Sequence, residues 1–234
     1  MRGPSKSGQA VTGEFDEHTS GIMPDSDVTV LHLLRHGEVE KMTERVVRGQ
    51  LDVGLSETGE LQTRALARWF GRVEPRPDAL WSSDLVRCRV LAEQVEQATG
   101  VAPRITERLR EQDMGAWQGR TWKEITAEDG PRVTAYWDDY VRARPTDGES
   151  LGDLFDRVDA WWDEHFTSFR GKRVVLVTHI GVIRAFHCRF LGVPRSEALR
   201  FSPAVASHSS FLISEAGAVL NAFGERPWTL ENGR

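Results

Sequence analysis

The sequence predicts an α/β protein, a three-layer sandwich in which a mostly parallel central sheet lies between helices on both faces. Segments with a strand pattern alternate with segments with a helical pattern, which is typical of a parallel sheet with helical crossovers. One segment, KRVVLVTH (172–179), is an almost unbroken apolar run, as expected of a strand buried on both faces. The 234 residues, 39% of them hydrophobic, suffice for one sizeable core.

The strands are predicted from short β-rich runs that end in polar or turn residues. Residues 28–34, VTVLHLL, form the first of them, and Arg35, His36 and Gly37 follow directly. The remaining strand segments, in chain order, are DALWSSDL, PRITERL, KRVVLVTH and the two arms of a hairpin around Glu215, Ala216 and Gly217.

The helices are predicted from apolar periodicity and from capping residues. Ser56 is expected to cap a helix over LSETGELQTRALARWFG, and Ser150 is expected to cap one over LGDLFDRVDAWWDEHFTSF. The apolar stripe of the first of these helices is predicted to consist of Leu61, Ala65, Leu66 and Trp69. The other helical segments are VRCRVLAEQVEQATG, which Gly100 ends, YWDDYVRA and VIRAFHCRFLG.

Composition and charge limit which domain organisation, partners and cellular compartment we expect for the chain. Residues 1–27 are rich in Gly, Ser, Asp and Glu without periodicity, so we expect a flexible leader before a single domain of residues 28–234. The formal net charge of -5 and the lack of a long apolar run favour neither nucleic acid nor a membrane as partner. The leader lacks the apolar region of a secretory signal, and only Cys88 and Cys188 are present, so a reducing cytoplasm is expected. The oligomeric state is not predicted.

Basic side chains follow three of the predicted strands at the point where each strand ends. Arg35 and His36 come directly after the first strand, Arg87 follows the second within the first turn of a helix, and His179 ends the buried strand KRVVLVTH. Ligands of open α/β sheets bind outside the carboxyl ends of the strands, so these side chains are expected to share one pocket.

Such a pocket is strongly positive and suits a phosphate dianion. The planar guanidinium of arginine donates hydrogen bonds to phosphate oxygens in pairs. A histidine held among phosphate-binding groups can act as a nucleophile toward phosphorus. The sequence therefore predicts a phosphate site that contains a histidine able to act as a nucleophile.

Six motifs resemble those of a known family, in the same order. They are LLRHGE, LSETG, SSDLVR, LREQDMGAWQG, DGES and VTHIGVIR, and the resemblance extends over about residues 28–223. A single RHG triplet is weak evidence, but six motifs in register are specific. The chain thus resembles the histidine phosphatase superfamily, whose fold is phosphoglycerate-mutase-like.

The resemblance implies a role for each matching residue. His36 resembles the nucleophile that carries the phosphoryl group, and Arg35, Arg87 and His179 resemble the other members of the phosphate pocket. Glu111 resembles the general acid that protonates the leaving oxygen and later helps to activate water. Phosphoryl transfer of this kind needs no cofactor or metal ion. The implied partner is a phosphorylated small molecule.

The chain departs from the family pattern shortly after the nucleophile. The family commonly has Thr and Asn at the positions that Val39 and Met42 occupy here, and that Asn usually helps to bind phosphate or orient the site. Arg45 or Arg48 are candidates to replace it. Arg48 and the adjacent Gly49 are accordingly predicted to contact substrate.

Several alternatives remain at the level of sequence. Glu107 lies close to Glu111, and either carboxyl is able to form a surface ion pair instead. His32 and His36 imitate the spacing of a helical zinc pair, but a strand spaces them too widely, so no metal site is expected. His208 is either a substrate contact at the rim or a plain hairpin residue.

The predicted activity is that of a metal-independent phosphomonoesterase that forms a phosphohistidine. A phosphoglycerate-type mutase is the alternative enzyme, although the short segment after WQG and the GES before a helix favour the phosphatase branch. A phospho-ligand-binding module without turnover is the alternative from another class. A turnover assay distinguishes that module from the enzymes.

Overall fold

A computed structural model describes residues 28–40 and 46–231, and the predicted α/β fold is confirmed within this part of the chain. The leader predicted for residues 1–27 lies outside the described residues. The strands are β1 (Thr29–Arg35), β2 (Ala79–Ser83), β3 (Pro103–Thr106), β4 (Arg173–Thr178), β5 (His208–Ser214) and β6 (Gly217–Glu225). The helices are α1 (Glu57–Phe70), α2 (Val86–Thr99), α3 (Trp122–Asp138), α4 (Leu151–Phe169), α5 (Ile180–Leu191) and α6 (Trp228–Glu231). None of the helices in the described ranges has the length and apolarity needed to span a bilayer.

The strand order brings the predicted site residues to one edge of the sheet. The six strands run in the order β3-β2-β4-β1-β5-β6. Strand β4 pairs in parallel with both β1 and β2, so the carboxyl ends of these three neighbours lie side by side. Strands β5 and β6 add antiparallel pairing on the far side of β1. The predicted pocket therefore lies at the carboxyl ends of β2, β4 and β1.

Two apolar layers enclose the sheet, because residues of the buried strands alternate between its faces. Val174 and Leu176 of β4 pack in one cluster with residues of α4 and α5. Val175 and Val177 pack on the opposite face with residues of α1 and α2. This arrangement confirms the predicted three layers, and Trp161 and Trp162 of α4 lie in the first of the two clusters.

Helix α3 corrects the prediction for the segment after WQG. A helix was expected only over YWDDYVRA (136–143), whereas the observed helix begins at Trp122 and ends at Asp138. Thr121 caps it through a capping box with Glu124. The helix contains a kink at Asp129, whose backbone is not helical, and Pro131 lies in the first turn beyond the kink. A proline is tolerated in a first turn, so Gly130-Pro131 bends this helix without ending it.

The apolar stripe predicted for α1 is wrong in part. Leu61 is 62% exposed, whereas Leu66 is fully buried as predicted. Ala67 and Phe70 complete the buried face in place of Leu61. The Ser56 cap is confirmed, since its side chain accepts a hydrogen bond from the Gly59 backbone.

Two buried histidines form a pair beside the core. His32 Nδ1 and His208 Nε2 lie 3.0 Å apart, and the two rings contact Phe70 and Trp69. His208 is thus a buried strand residue, as in the hairpin interpretation. Burial lowers the pKa of His208 to about 4, and burial together with the charge of His208 lowers the pKa of His32 well below its usual value. Both rings are therefore neutral in the folded protein near pH 7.

We expect the free energy of unfolding to fall as the pH drops from 7 to 5.5. The histidine pKa is higher in the unfolded chain than in the fold, so below about pH 6.5 the unfolded state binds more protons. Each such histidine then costs about 1.4 kcal/mol per pH unit. Urea denaturation at several pH values measures this loss. The variant H208Q keeps a hydrogen-bonding side chain without a titrating ring, so its loss of stability between pH 7 and pH 5.5 should be smaller by about 1.2 kcal/mol. If the free energy of unfolding falls with pH equally in both proteins, the prediction is contradicted.

Candidate active site

His36 follows the last residue of β1 and is buried, with 7% of its surface exposed. Its Nδ1 lies 2.7 Å from the Gly37 carbonyl oxygen. A carbonyl only accepts hydrogen bonds, so Nδ1 carries the proton and Nε2 keeps a free lone pair. Burial, followed by the charges of Arg35 and Arg87, holds the pKa of His36 well below its usual value. The ring is therefore neutral near pH 7, and its unprotonated nitrogen is Nε2.

Gly37 is required by the approach of α1. A Cβ on Gly37 would lie 2.5 Å from the Gly59 carbonyl oxygen and 2.7 Å from Thr63 Oγ1. The lack of a side chain at Gly37 therefore lets the N-terminal part of α1 pack directly behind the end of β1.

Arg35 is a buried cation with a spare donor. Its Nη1 donates to the Pro203 carbonyl oxygen at 2.6 Å, while its buried Nε has no hydrogen-bond partner among the described residues. Burial lowers the pKa of Arg35 to about 10, an effect that the charge of Glu111 partly offsets. Arg35 thus stays positive at neutral pH, and an unpartnered buried donor of this kind favours an incoming anion.

Arg87 lies in the first turn of α2 and is almost fully buried. Its Nη1 and Nη2 donate to the carbonyl oxygens of Leu51 at 2.6 Å and Gly49 at 2.8 Å. Its Nε donates to His179 Nδ1 at 3.3 Å. The loop before α1 therefore orients the guanidinium. Gly49 adopts a φ of 50°, a left-handed conformation that favours glycine, and it contributes a backbone carbonyl to this arrangement.

His179 caps α5 directly after β4 and is fully buried. Because its Nδ1 accepts from Arg87, its Nε2 carries the proton in the neutral ring and donates to Ser83 Oγ at 2.9 Å. Burial first, then the charge of Arg87, keeps the pKa of His179 well below its usual value. The ring centroids of His179 and His36 are 5.1 Å apart, so the sheet brings the two predicted histidines together.

Cys88 lies behind His179, with its Sγ 3.4 Å from Nε2. Burial raises the pKa of the Cys88 thiol, so it is protonated at neutral pH. A protonated, fully buried thiol is a poor nucleophile. Cys88 therefore packs in the core beside His179.

Glu111 approaches the same site from the segment after β3. Its Oε1 accepts from the backbone N–H groups of Gln112 at 3.0 Å and Gly181 at 3.1 Å, and its Oε2 lies 3.3 Å from the latter. A side chain on Gly181 would collide with this carboxylate. The first turn of α5 therefore positions Glu111 beside His179. Glu107, the alternative acid, is 75% exposed and lies 3.6 Å from Arg110.

The region that departs from the family pattern is only partly described. Arg48 donates to the carbonyl oxygens of Val46 at 2.9 Å and Glu40 at 3.0 Å, and its charge helps to lower the pKa of Arg87. Its contact with substrate stays a prediction. Val39 is buried and bridges to Leu55. Met42 and Arg45 lie outside the described residues.

Three residues that support the site were not predicted from the sequence. Ser83 holds His179, and Arg157 and Glu149 form an ion pair at 2.9 Å. Arg157 also donates to the Glu111 carbonyl oxygen at 3.4 Å, so the pair supports the backbone of the predicted acid. Ser83 and Glu149 lie within the quoted motifs SSDLVR and DGES, so the sequence contained a signal for both of them. No local sequence pattern indicates that Arg157 pairs with Glu149.

A cavity of about 180 Å³ adjoins Glu111, and neither His36 nor His179 lines it. Gly49, Glu111 and Gly181 line it on the side of the phosphate pocket. Aromatic and apolar side chains form most of the remaining wall: Tyr136, Trp137, Tyr140, Leu151 and Leu199. The site thus combines a group of buried cationic and histidine side chains with a largely apolar cavity next to the carboxylate.

The fold and the site together define an α/β enzyme that handles phosphate esters. A family model described as histidine phosphatase superfamily (branch 1) matches residues 31–226. This chain therefore belongs to the histidine phosphatase superfamily, as the six motifs predicted, and it is a phosphoric monoester hydrolase.

Individual proteins resemble the chain over most of its length. The metal-independent phosphoserine phosphatase of Arabidopsis thaliana is 34% identical over 171 residues, which cover 72% of this chain and 71% of that protein. A phosphoglycerate mutase-like protein of the same organism is 32% identical, with coverage of 70% and 72%. The native structure of a mycobacterial glucosyl-3-phosphoglycerate phosphatase matches with a TM-score of 0.75 and 30% identity, over 84% of this chain and 99% of the other.

Proposed function

We propose that this hydrolase cleaves phosphomonoesters of small metabolites, without a metal ion, through a phosphohistidine on His36. The observation that carries the proposal is the state of His36, a neutral ring whose free Nε2 lies among buried arginines. Arg35 and Arg87 supply the positive charge that phosphoryl transfer requires at the equatorial oxygens. Residues of this chain therefore supply both the nucleophile and the positive charges that stabilise the transition state.

The reaction proceeds in two steps. First, His36 Nε2 attacks phosphorus while the bond from phosphorus to the leaving oxygen breaks, and Glu111 gives its proton to that oxygen. Then water attacks the phosphohistidine, Glu111 accepts a proton from the water, and the bond between phosphorus and nitrogen breaks. Inorganic phosphate leaves, and both side chains return to their starting states.

The first test is the release of inorganic phosphate from a generic aryl phosphate in the presence of a metal chelator. We expect full activity, because arginine side chains stabilise the developing charge. Activity that disappears with chelator and returns with a divalent metal would contradict the metal-free mechanism.

The mutase alternative is kept because one relative is described as phosphoglycerate mutase-like. The two enzymes differ in the fate of the phosphohistidine. We expect the intermediate to decay to inorganic phosphate in water without any acceptor. An intermediate that persists until phosphoglycerate is added, and whose phosphate then appears on that acceptor, would establish a mutase. A protein that binds phosphate esters but releases no phosphate would establish the binding module.

The substrate class and the location are part of the same proposal. The names of two similar proteins refer to phosphoserine and to glucosyl-3-phosphoglycerate, which supports a small phosphorylated metabolite here. Both cysteines are buried free thiols, which favours a reducing compartment such as the cytoplasm. A screen of phosphorylated metabolites with the purified protein tests the substrate class.

A further inference from the structure

Arg184 is the one cationic side chain among the described residues that line the cavity beside Glu111. The rest of the wall is largely aromatic and apolar. The hydroxyl groups of its two tyrosines already have partners, since Tyr136 donates to Gln112 Oε1 at 3.2 Å and Tyr140 donates to the Ser196 carbonyl oxygen. Within the described lining, Arg184 is therefore the cation that a substrate meets beyond the phosphate pocket.

The guanidinium of Arg184 is oriented but forms no close ion pair, and the negative charge that stabilises it at longer range is that of Glu111. Its Nε donates to the Phe201 carbonyl oxygen at 2.9 Å, and neither terminal nitrogen makes a hydrogen bond to the described part of the chain. No carboxylate in residues 28–40 or 46–231 lies within 4 Å of it. By contrast, Arg189 of the same helix pairs with Asp159 at 3.1 Å. Burial lowers the pKa of Arg184, but the group stays positive at neutral pH.

The position of Arg184 on α5 relates it directly to the reacting groups. His179 caps this helix, and the Gly181 backbone N–H holds the Glu111 carboxylate. Arg184 lies three residues after Gly181, on the same face of the helix and just under one turn, or roughly 4.5 Å, further along. A short leaving group whose oxygen takes a proton from Glu111 therefore reaches Arg184 with its other end.

We propose that Arg184 binds a carboxylate on the leaving group, so that the preferred substrates are phosphomonoesters of short hydroxy acids. This inference rests on the function proposed above. A planar carboxylate matches the two free terminal nitrogens of one guanidinium. A second phosphate dianion would fit this cavity less well, because the cavity offers one arginine whereas the phosphate pocket has two arginines for one dianion. The aromatic wall strengthens the ion pair by keeping water away from it.

The test compares two esters that differ only at the far end of the leaving group. 3-Phosphoglycerate carries a carboxylate there, and glycerol 3-phosphate carries a hydroxymethyl group. We expect wild-type protein to favour 3-phosphoglycerate by roughly 10- to 100-fold in kcat/KM, the range of one charged hydrogen-bonded pair. R184Q should reduce this ratio to near one, and R184K should keep an intermediate ratio because it keeps the charge. The matched control R189Q, which alters an arginine outside the cavity, should leave the ratio unchanged.

Each outcome decides the assignment. A ratio that survives in folded R184Q, checked by thermal denaturation, overturns it. Equal losses on both esters also overturn it, because Arg184 would then act through Glu111 rather than on the carboxylate. A stronger dependence on Arg184 for propane-1,3-diol bisphosphate than for 3-phosphoglycerate assigns the cavity to a second phosphate instead. If the wild-type protein cleaves an aryl phosphate but does not prefer 3-phosphoglycerate to glycerol 3-phosphate, only this inference is refuted. If it cleaves no phosphate ester at all, the proposed function is refuted as well.

Discussion

Replacement of His36 with alanine is expected to abolish the phosphoenzyme and to lower turnover by on the order of 10⁴- to 10⁶-fold, as for the loss of other enzymatic nucleophiles. Nε2 of His36 is the free lone pair that the geometry places among Arg35 and Arg87, and alanine removes it. Rapid quenching after brief reaction with labelled substrate measures the effect. Wild-type protein should retain acid-labile, base-stable phosphate, and H36A should retain none.

A histidine outside the site provides the control for this experiment. His165 lies in α4, where its Nδ1 bonds to the Trp161 carbonyl oxygen at 2.8 Å and its ring packs against Trp81 and Trp161. H165Q should therefore form the phosphoenzyme as the wild type does. Label that remains on H36A, or label found on Cys88, would show that another side chain is the nucleophile.

Replacement of Glu111 with glutamine is expected to slow the cleavage of alkyl phosphates by roughly 10²- to 10⁴-fold, the usual contribution of general acid catalysis. Glutamine keeps the size of the side chain and an oxygen that can accept from Gly181, but it has no proton to transfer. An alkoxide leaving group needs that proton. A good aryl leaving group does not, so phosphorylation of E111Q by an aryl phosphate should be much less affected.

This contrast must be measured in single-turnover phosphorylation, because steady-state turnover also contains the attack of water. E107Q is the matched control, since Glu107 is the neighbouring carboxylate and is mostly exposed beside Arg110. It should behave as the wild type with both classes of ester. Equal losses for alkyl and aryl phosphates in E111Q, or a selective loss in E107Q, would assign the proton donor elsewhere.

Much of the site could be predicted from the sequence because its residues follow strands at their carboxyl ends. Arg35, His36 and His179 stand out as polar residues directly after buried apolar runs, and parallel strands bring such positions to one edge. Glu111 was predicted only through the motif that contains it. Its actual support, the Gly181 backbone N–H, comes from a helix 70 residues further along the chain.

Local pattern was least informative in the segment between Trp122 and Asp138. Gly130-Pro131 is a strong signal for a break, and only the structure shows a helix that continues through a kink at Asp129. That helix supplies Tyr136 and Trp137 to the wall of the cavity. The shape of the leaving-group site was therefore out of reach of sequence reasoning.

The sequence by itself determined the class of fold, the strand ends that carry the chemistry and the family, because these depend on periodicity, capping and short motifs within single elements. The tertiary structure alone decided which nitrogen of His36 is free, which groups orient Arg87 and His179, and that Arg184 lies in the cavity without a carboxylate partner in the described chain. These features depend on contacts between residues that are distant in sequence. Strand order and burial create such contacts, and neither leaves a local pattern in the chain.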